Sequence, residues 1–359
     1  MPTNVTPEYR KAEQAFRAAR EPRERLEWLK EMLRTIPKHK GTEHVQADIK
    51  TRIKQLTEQL VGPKKRGGRG APTYSLRPAG AAQIALLGAP NAGKSSLHAR
   101  LTGSHAEIGP SPFTTQIPAP GMLPYEDIHF QLVDLPPISA EFMEPWFPNA
   151  LERADAALLV VDVSDPACVE HAQMIRRRLA ERKIALSEHW PGFDDVARPI
   201  TAGEGEGKDG DENAPEAEGG AMEDPFRIEL PTLLVANKSD LDPGPDEVKV
   251  LEELLGVQFP AVTTSATTGR GLDRIGPLLF EGLQIVRVYT KAPNRPPEMD
   301  RPFTVHRGQT ILEVARMVHR DIAAKLRFAR IWGSGAFEGQ QVGADHRVAD
   351  GDIVELHTP

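Results

Sequence analysis

QIALLGAPNAGKSSLHARL, residues 83–101, carries the pattern that decides the fold. Gln83–Gly88 is a short apolar run of strand length, and a helix-compatible segment begins at Ser95. Between them, GAPNAGKS (Gly88–Ser95) fits G-x-x-x-x-G-K-[ST], the phosphate-binding loop that joins a strand to a helix. Its glycines let the backbone wrap closely and aim N–H groups at phosphate oxygens, and the helix start adds its positive end. The pattern assigns Gly88, Asn91, Ala92, Gly93, Lys94, Ser95 and Ser96 to phosphate binding. Lys94 is expected to reach the outer phosphates, and the Ser95 hydroxyl to ligate Mg²⁺. The octapeptide alone also arises by accident as a structural turn, so its surroundings decide.

Working outward, four further apolar runs read as buried strands: Ile128–Asp134, Ala156–Asp162, Pro231–Asn237 and Pro260–Ala266. Strands covered on both faces show such continuous hydrophobic runs. Helices fit at Ser95–Leu101, Val169–Lys183, Asp246–Leu255 and Leu272–Val286. This alternation predicts an α/β class protein with a doubly wound sheet of the P-loop type.

Three strand ends supply the rest of a nucleotide site, in chain order. Asp134 closes a strand where a Mg²⁺-linked carboxylate belongs. Asn237, Lys238, Ser239 and Asp240 close another. A carboxylate at Asp240 can accept two N–H bonds from guanine, which adenine does not offer in that arrangement, and leaving it unpaired is costly. The backbone around Ser265 and Ala266 can meet the guanine oxygen. Each segment alone could be an ordinary loop; together, in this order, they predict GTP/GDP as the ligand.

With these motifs in place, the chain resembles the Obg–DRG branch of the translation-factor-class GTPases, in particular the DRG group (developmentally regulated GTP-binding proteins). GAPNAGKSSL (Gly88–Leu97) matches that family's phosphate loop, and QLVDLPPI (Gln131–Ile138) resembles its second switch. SPFTTQIPAPGML (Ser111–Leu123) resembles the first switch, where a threonine closes on Mg²⁺ and the γ-phosphate. Alignment on Phe113 favours Thr115, with Thr114 the neighbouring alternative. The segment Lys38–Leu56 is similar to the family's N-terminal helical part. The tail, with VHRGQTILEVARMVHRDI, FARIWGSGA and QVGADHRVADGDIVEL, is similar to a TGS domain, which implies a ubiquitin-like β-grasp fold. TGS domains also occur in threonyl-tRNA synthetases and stringent-response enzymes, so the module implies translation or RNA. The resemblance also implies slow, Mg²⁺-dependent GTP hydrolysis with Lys94, Thr115 and Asp134 as the catalytic groups, and Ser95, Thr115 and Asp134 as the metal's ligands.

Two positions depart from the usual GTPase pattern. The second switch normally reads Asp-x-Pro-Gly, with the glycine N–H on the γ-phosphate. Here that position is Pro137, which has no N–H and a fixed φ. It is either a neutral loop change or a sign of impaired γ-phosphate sensing. Ile138 stands where many GTPases place a water-orienting glutamine, an apolar substitution that is usual in this branch. Asn91 is either a loop-stabilising residue or, as in related GTPases, part of a K⁺ site against the phosphates.

The remaining chain divides into further parts. Residues 1–62 read as a helical region, a hairpin in which Pro22 interrupts the first helix and Thr42 caps the second. Val45, Ile49, Ile53, Leu56 and Leu60 step by fours and threes along one face. Basic residues outnumber acidic ones about two to one over the first eighty positions, which fits either a solvated or an RNA-facing surface. Residues 63–80 form a basic flexible linker, either a tether or a contact for phosphate backbones. The GTPase domain spans 81–292, with a disordered acidic insertion at 187–229 where DRG proteins carry a folded insert. A proline-rich hinge at Pro293–Pro302 leads to the TGS domain at 300–359, with a strand at Phe303–His306, a helix capped by Thr310 and a closing strand at Ile353–His357.

One cysteine, Cys168, excludes an internal disulfide, and the eleven histidines show no recognisable metal spacing. No run approaches the ~20 apolar residues of a membrane span, and no secretory signal is recognisable. The expectation is a cytoplasmic GTPase acting as a slow switch on the ribosome or a translation-linked RNA. The alternative is a scaffold that binds guanine nucleotide without turnover, and Pro137 motivates it.

Overall fold

The computed structural model describes residues 6–19, 22–37, 42–61, 76–104, 117–193, 224–241, 251, 253–334 and 337–358. These fall in two compact units: residues 1–71 with 200–227, and residues 72–199 with 228–359.

The first unit contains three helices, where the sequence had suggested a two-helix hairpin: α1 (Pro7–Ala18), α2 (Pro22–Thr35) and α3 (Glu43–Val61). Thr6 caps α1, its hydroxyl accepting the Tyr9 N–H at 3.2 Å. Pro22 opens α2, because a missing N–H and a preset φ cost nothing in a helix's first turn. The apolar stripes of the helices meet in a core of Tyr9, Ala12, Phe16, Leu29, Met32, Ile36 and Ile49. Phe226 joins that core, edge-on to Phe16 at 6.0 Å and covered by the Arg52 guanidinium at 4.3 Å.

The second unit holds two sheets. In the larger, β1 (Gln83–Gly88), β3 (Ile128–Asp134), β4 (Ala156–Asp162), β5 (Ile184–Ser187), β6 (Ile228–Asn237) and β7 (Ala261–Thr263) are parallel. Strand β2 (Ala119–Tyr125) runs antiparallel on the edge beside β3. The order is β2-β3-β1-β4-β6-β5, with β7 beside the upper part of β6. Helices α4 (Lys94–Thr102), α5 (Phe147–Leu151), α6 (Cys168–Ala180) and α7 (Ile275–Gly282) belong to this layer. Alternate residues of β1 enter different cores: Ile84 and Leu86 pack with Leu97 and Leu279, and Ala85 and Leu87 with Ile175 and Leu179. That two-sided burial is why the strands are apolar throughout.

The smaller sheet has the order β11-β10-β12-β8-β9, from β8 (Ile285–Thr290), β9 (Glu298–His306), β10 (Phe328–Trp332), β11 (Gln340–Val342) and β12 (Asp352–His357). Only β8 and β12 pair in parallel; the other pairs are antiparallel. Helix α8 (Ile311–Val318) lays Ile311, Val314 and Ala315 against Val288, Val305, Ile331 and Val354. Thr310 caps α8 in a box with Glu313; burial opposes ionisation of Glu313, but the Thr310 hydrogen bonds outweigh it and hold its carboxyl below the usual range. A short helix, α9 (Arg320–Ala324), follows. This is the β-grasp arrangement expected of the tail.

The two sheets are joined at a charged knot. Arg287 of β8 forms a bidentate pair with Asp350 at 3.0 and 2.7 Å. It also reaches Glu126 and, at 3.1 Å, Asp127 in the β2–β3 turn. Tyr289 donates its hydroxyl to Asp127 as well. Burial works against the charged forms of Asp127 and Asp350, yet their hydrogen bonds outweigh it and hold both carboxyls below the ordinary range. Burial and Asp127 push the Tyr289 hydroxyl up to about 12.

Several expected boundaries move. The helix expected over Leu272–Val286 stops at Gly282, and the β-branched run IVRVYT pairs as β8, so the C-terminal module starts near 285 rather than 300. A side chain at Gly282 would collide with Trp190, so the chain approaches too closely there for anything larger. The proline-rich hinge therefore lies within the β8–β9 connection and the first part of β9. Part of the segment expected to be a disordered insertion is folded: Ser187 ends β5, Trp190 is buried with its indole N–H on Thr232 O at 3.1 Å, Phe226 is in the helical core, and Ile228 opens β6. Residues 194–223 lie outside the described residues, as do 62–75 of the linker. Residues 76–80, assigned to the linker, instead run beside β3, where Ala79 N–H donates to the Gln131 side chain at 3.2 Å.

Candidate nucleotide-binding site

The C-terminal ends of β1, β3 and β6 and the loop after β7 converge on one side of the large sheet. Strand β1 delivers the loop Ala89–Gly93, in which Asn91 takes a left-handed φ of 61° and is exposed. Gly93, at φ 89°, starts α4; a side chain there would strike the Asn237 amide. Lys94 is 6% exposed, and its ammonium donates to the carbonyls of Gly88 and Ala89, each at 3.2 Å. Burial pushes its pKa down to about 8, with Asp134 opposing the shift. Held away from water by these two carbonyls, the ammonium gains from any anion that approaches it, since an opposite charge nearby favours the charged form.

Ser95, the second residue of α4, donates its hydroxyl to Asp134 Oδ2 at 2.6 Å. These two oxygen groups come from neighbouring strand and helix ends, and both are hard donors suited to Mg²⁺ with phosphate oxygens completing the shell. Ser96 follows in the same turn, half-buried. His98 anchors α4 behind this pair: one ring nitrogen lies 3.3 Å from Leu132 O and the other 3.2 Å from Ser104 Oγ. Burial holds its imidazole below the ordinary value.

At the other end of the site, Asn237 is 1% exposed and ties three segments together. Its amide donates to Ala92 O at 3.0 Å, and its carbonyl accepts the Ala266 N–H at 3.2 Å and the Thr264 hydroxyl at 3.4 Å. Ser239 N–H donates to Thr264 O at 3.1 Å, and buried Ser265 holds its own loop through Thr268 N–H at 3.0 Å. Asp240 is exposed at the rim of this assembly. Lys238, at φ 65°, pairs with Asp162 at 2.5 Å. Burial opposes ionisation of Asp162, but Lys238 and the Ser164 hydrogen bonds together outweigh it and keep the carboxyl below its usual range.

The structure thus brings Gly88, Asn91, Ala92, Gly93, Lys94, Ser95, Ser96, Asp134, Asn237, Lys238, Asp240, Ser265 and Ala266 to one rim of the sheet. Thr115 and Thr114 lie outside the described residues. Ile138 is fully buried in the core that holds Leu87, Ala89 and Leu159, while its N–H donates to Gly88 O at 3.2 Å. Pro136 and Pro137 are buried beside it. Sequence reasoning missed Asp162, although it ends an apolar strand just as Asp134 does. No carboxylate or histidine cluster suited to a separate metal ion occurs among the described residues.

Two known protein families match parts of the chain. The family described as 50S ribosome-binding GTPase matches residues 83–188, and the TGS domain family matches residues 286–358. An uncharacterized GTP-binding protein of Methanocaldococcus jannaschii is 28% identical over 368 aligned positions, covering 93% of this chain and 92% of that one. Developmentally-regulated G-protein 2 of Arabidopsis thaliana is 28% identical, covering 91% and 88%. A solved GTP-binding protein from Pyrococcus horikoshii OT3 is 18% identical, covers 77% of this chain and all of its own, and superposes with a TM-score of 0.47. The chain thus carries a match to a GTPase family and a match to the TGS domain family, and along nine-tenths of its length it is similar to proteins named as developmentally regulated or uncharacterized GTP-binding proteins.

Proposed function

We propose that the protein is a slow, Mg²⁺-dependent GTPase that cycles between GTP and GDP forms in the cytoplasm, as a switch on the ribosome or a translation-linked RNA. One observation carries this reading: Asn237 ties the phosphate loop to the guanine-facing loops through bonds to Ala92 and Ala266. These bonds fix the phosphate and base subsites in one register, and fixing of that kind lowers the ordering cost of binding.

In this reading, the phosphate-loop N–H groups and the start of α4 hold the β-phosphate, and Lys94 bridges to the γ-phosphate. Asp240 accepts the two guanine N–H groups, and the N–H groups near Ala266 face the guanine oxygen. Bound Mg²⁺ would neutralise charge developing on the phosphates. Ser95 and Asp134 would hold it, with Thr115, proposed from the family resemblance, closing over it in the GTP form. With Ile138 buried, no side chain at that position orients water, so a K⁺ held near Asn91 is proposed to supply the charge that other GTPases draw from an arginine finger. The basic residues of the N-terminal region and the TGS domain are proposed to make the RNA or ribosome contact.

A second reading, a guanine-nucleotide scaffold without turnover, is favoured by the buried Pro137 and its missing N–H. Single-turnover phosphate release decides between them. The switch reading expects Mg²⁺-dependent release that is faster in K⁺ than in Na⁺. No release in either salt supports the scaffold, and equal rates in both remove the K⁺ site.

A further inference from the structure

Away from the nucleotide site, the small sheet gathers cations and rings on one face. Along β10, Phe328, Arg330 and Trp332 alternate with buried Ala329 and Ile331, so they occupy the face opposite α8. Their cross-strand partners on β12 are His357, Glu355 and Ile353. The His357 ring stacks on Phe328 with centroids 4.5 Å apart and planes at 14°. The Lys291 ammonium lies 4.2 Å from the centre of the Trp332 ring. Glu355, only 5% exposed, holds two partners: His357 Nε2 is 2.7 Å from one carboxylate oxygen, and the Lys291 ammonium Nζ is 3.4 Å from the other. Arg330 sits opposite Glu355 and is exposed, as is Arg327 next along the chain from Phe328.

The arrangement has two layers. Phe328 and Trp332 form an aromatic floor, and His357 and Lys291 lie on it with Arg330 alongside. Among these paired positions Glu355 is the only carboxylate, and its charge is buried and shared by two partners. The face therefore presents positive charge to solvent on a chain whose formal net charge is −7. It also presents planar groups, an imidazole and a guanidinium, on which a nucleobase can stack while phosphates meet the surrounding cations. An acidic peptide would use the charge but not the planes. A duplex keeps its base faces stacked internally and cannot offer them.

We propose that this face binds an unpaired nucleotide of single-stranded RNA, its base stacking on the His357 and Arg330 planes and its phosphates meeting Lys291 and Arg330. The proposal rests on the RNA part of the function proposed above and locates that contact.

The test is fluorescence anisotropy of a labelled, unstructured oligoadenylate RNA with the full-length protein, with GDP affinity measured in parallel as a control for folding. Arg330→Glu is expected to weaken RNA binding at least tenfold and to flatten its log–log salt dependence by roughly 1–1.5, since about 0.7 of a counterion is released per neutralised single-strand phosphate. His357→Ala is expected to weaken it several-fold, and Arg330→Lys, which keeps charge but loses the plane, by less than Arg330→Glu. GDP affinity should be unchanged throughout. If wild-type protein binds the RNA and all three variants bind equally well, the face is overturned while RNA association survives, with the linker or helices as its seat. If wild-type protein binds no single-stranded RNA, both the face and the RNA part of the function fail. Displacement of the RNA by polyglutamate as readily as by unlabelled RNA, or stronger binding to duplex, also overturns the proposal.

Discussion

The two sheets of the second unit use the same backbone arithmetic in opposite ways. In the large sheet the central strands are buried on both faces, and the residues of the candidate site stand where strands stop: Gly88, Asp134, Asp162 and Asn237 all close apolar runs. In the small sheet one face is packed under α8 and the other carries Arg330, Glu355 and His357 between apolar positions. A sheet covered on both sides has only its edges and strand ends left for function, whereas a sheet covered on one side can work through its surface. The first kind of site is narrow, preorganised and suited to a small ligand; the second is broad and suited to a polymer.

That contrast can be broken most forcefully at Lys94. Removing the ammonium in Lys94→Ala takes away a charge-assisted phosphate bond of roughly 1.5–3 kcal/mol, about ten- to a hundredfold in nucleotide affinity. Binding titrations with GDP check it, and survival of both affinity and turnover would mean that the loop after β1 is not a phosphate loop. Pro137 offers a comparable effect confined to one nucleotide. Pro137→Gly restores an N–H that only the γ-phosphate would use, so affinity for a non-hydrolysable GTP analogue should rise by about ten- to a hundredfold while GDP affinity holds. An unchanged ratio between the two titrations would show that the proline is a neutral loop change.

Arg287, where the sheets meet, sharpens the comparison from the side of stability. Arg287→Ala leaves Asp350 without its bidentate partner and Asp127 with Tyr289 alone, and should lower unfolding free energy by roughly 1–3 kcal/mol without altering nucleotide affinity. Chemical denaturation followed by tryptophan fluorescence measures it; a variant as stable as wild type would make the knot an incidental contact. The same carboxylates give the smallest effect, an acid dependence. Their folded pKa values are depressed, so their contribution is fully present above the ordinary aspartate value near ~4 and is lost as pH falls through the lower folded values. Wild type should lose stability faster than Arg287→Ala below about pH 4. Parallel acid titrations of the two proteins would refute this.

Strands sealed on both faces were legible end to end: Gln83–Gly88, Ile128–Asp134 and Ala156–Asp162 begin and end where their apolar runs do. Strand β2 was not, because Pro120 and Pro124 argue against a strand; it tolerates them as an antiparallel edge. The first two residues of β8, Ile285 and Val286, read as the tail of a helix, since short apolar runs fit either period, and only the pairing of β8 with β9 and β12 decides the matter. In the candidate site, loop glycines and strand-end acids could be found by spacing alone. What spacing could not reveal is the direction of side chains. Asn237 spans from Ala92 to Ala266, and Lys238 turns to Asp162, because of how distant segments pack. Ile138 illustrates the converse, since its apolar character was visible but its turn into the core was not.

One strand serves at both of its ends. β3 is seven residues, roughly 20 Å, of extended chain bonded on both sides, with Asp134 at its end in the nucleotide site and Asp127 just before its start in the grip of Arg287 and Tyr289. The candidate nucleotide site and the anchor of the C-terminal module therefore stand at the two ends of one hydrogen-bonded strand.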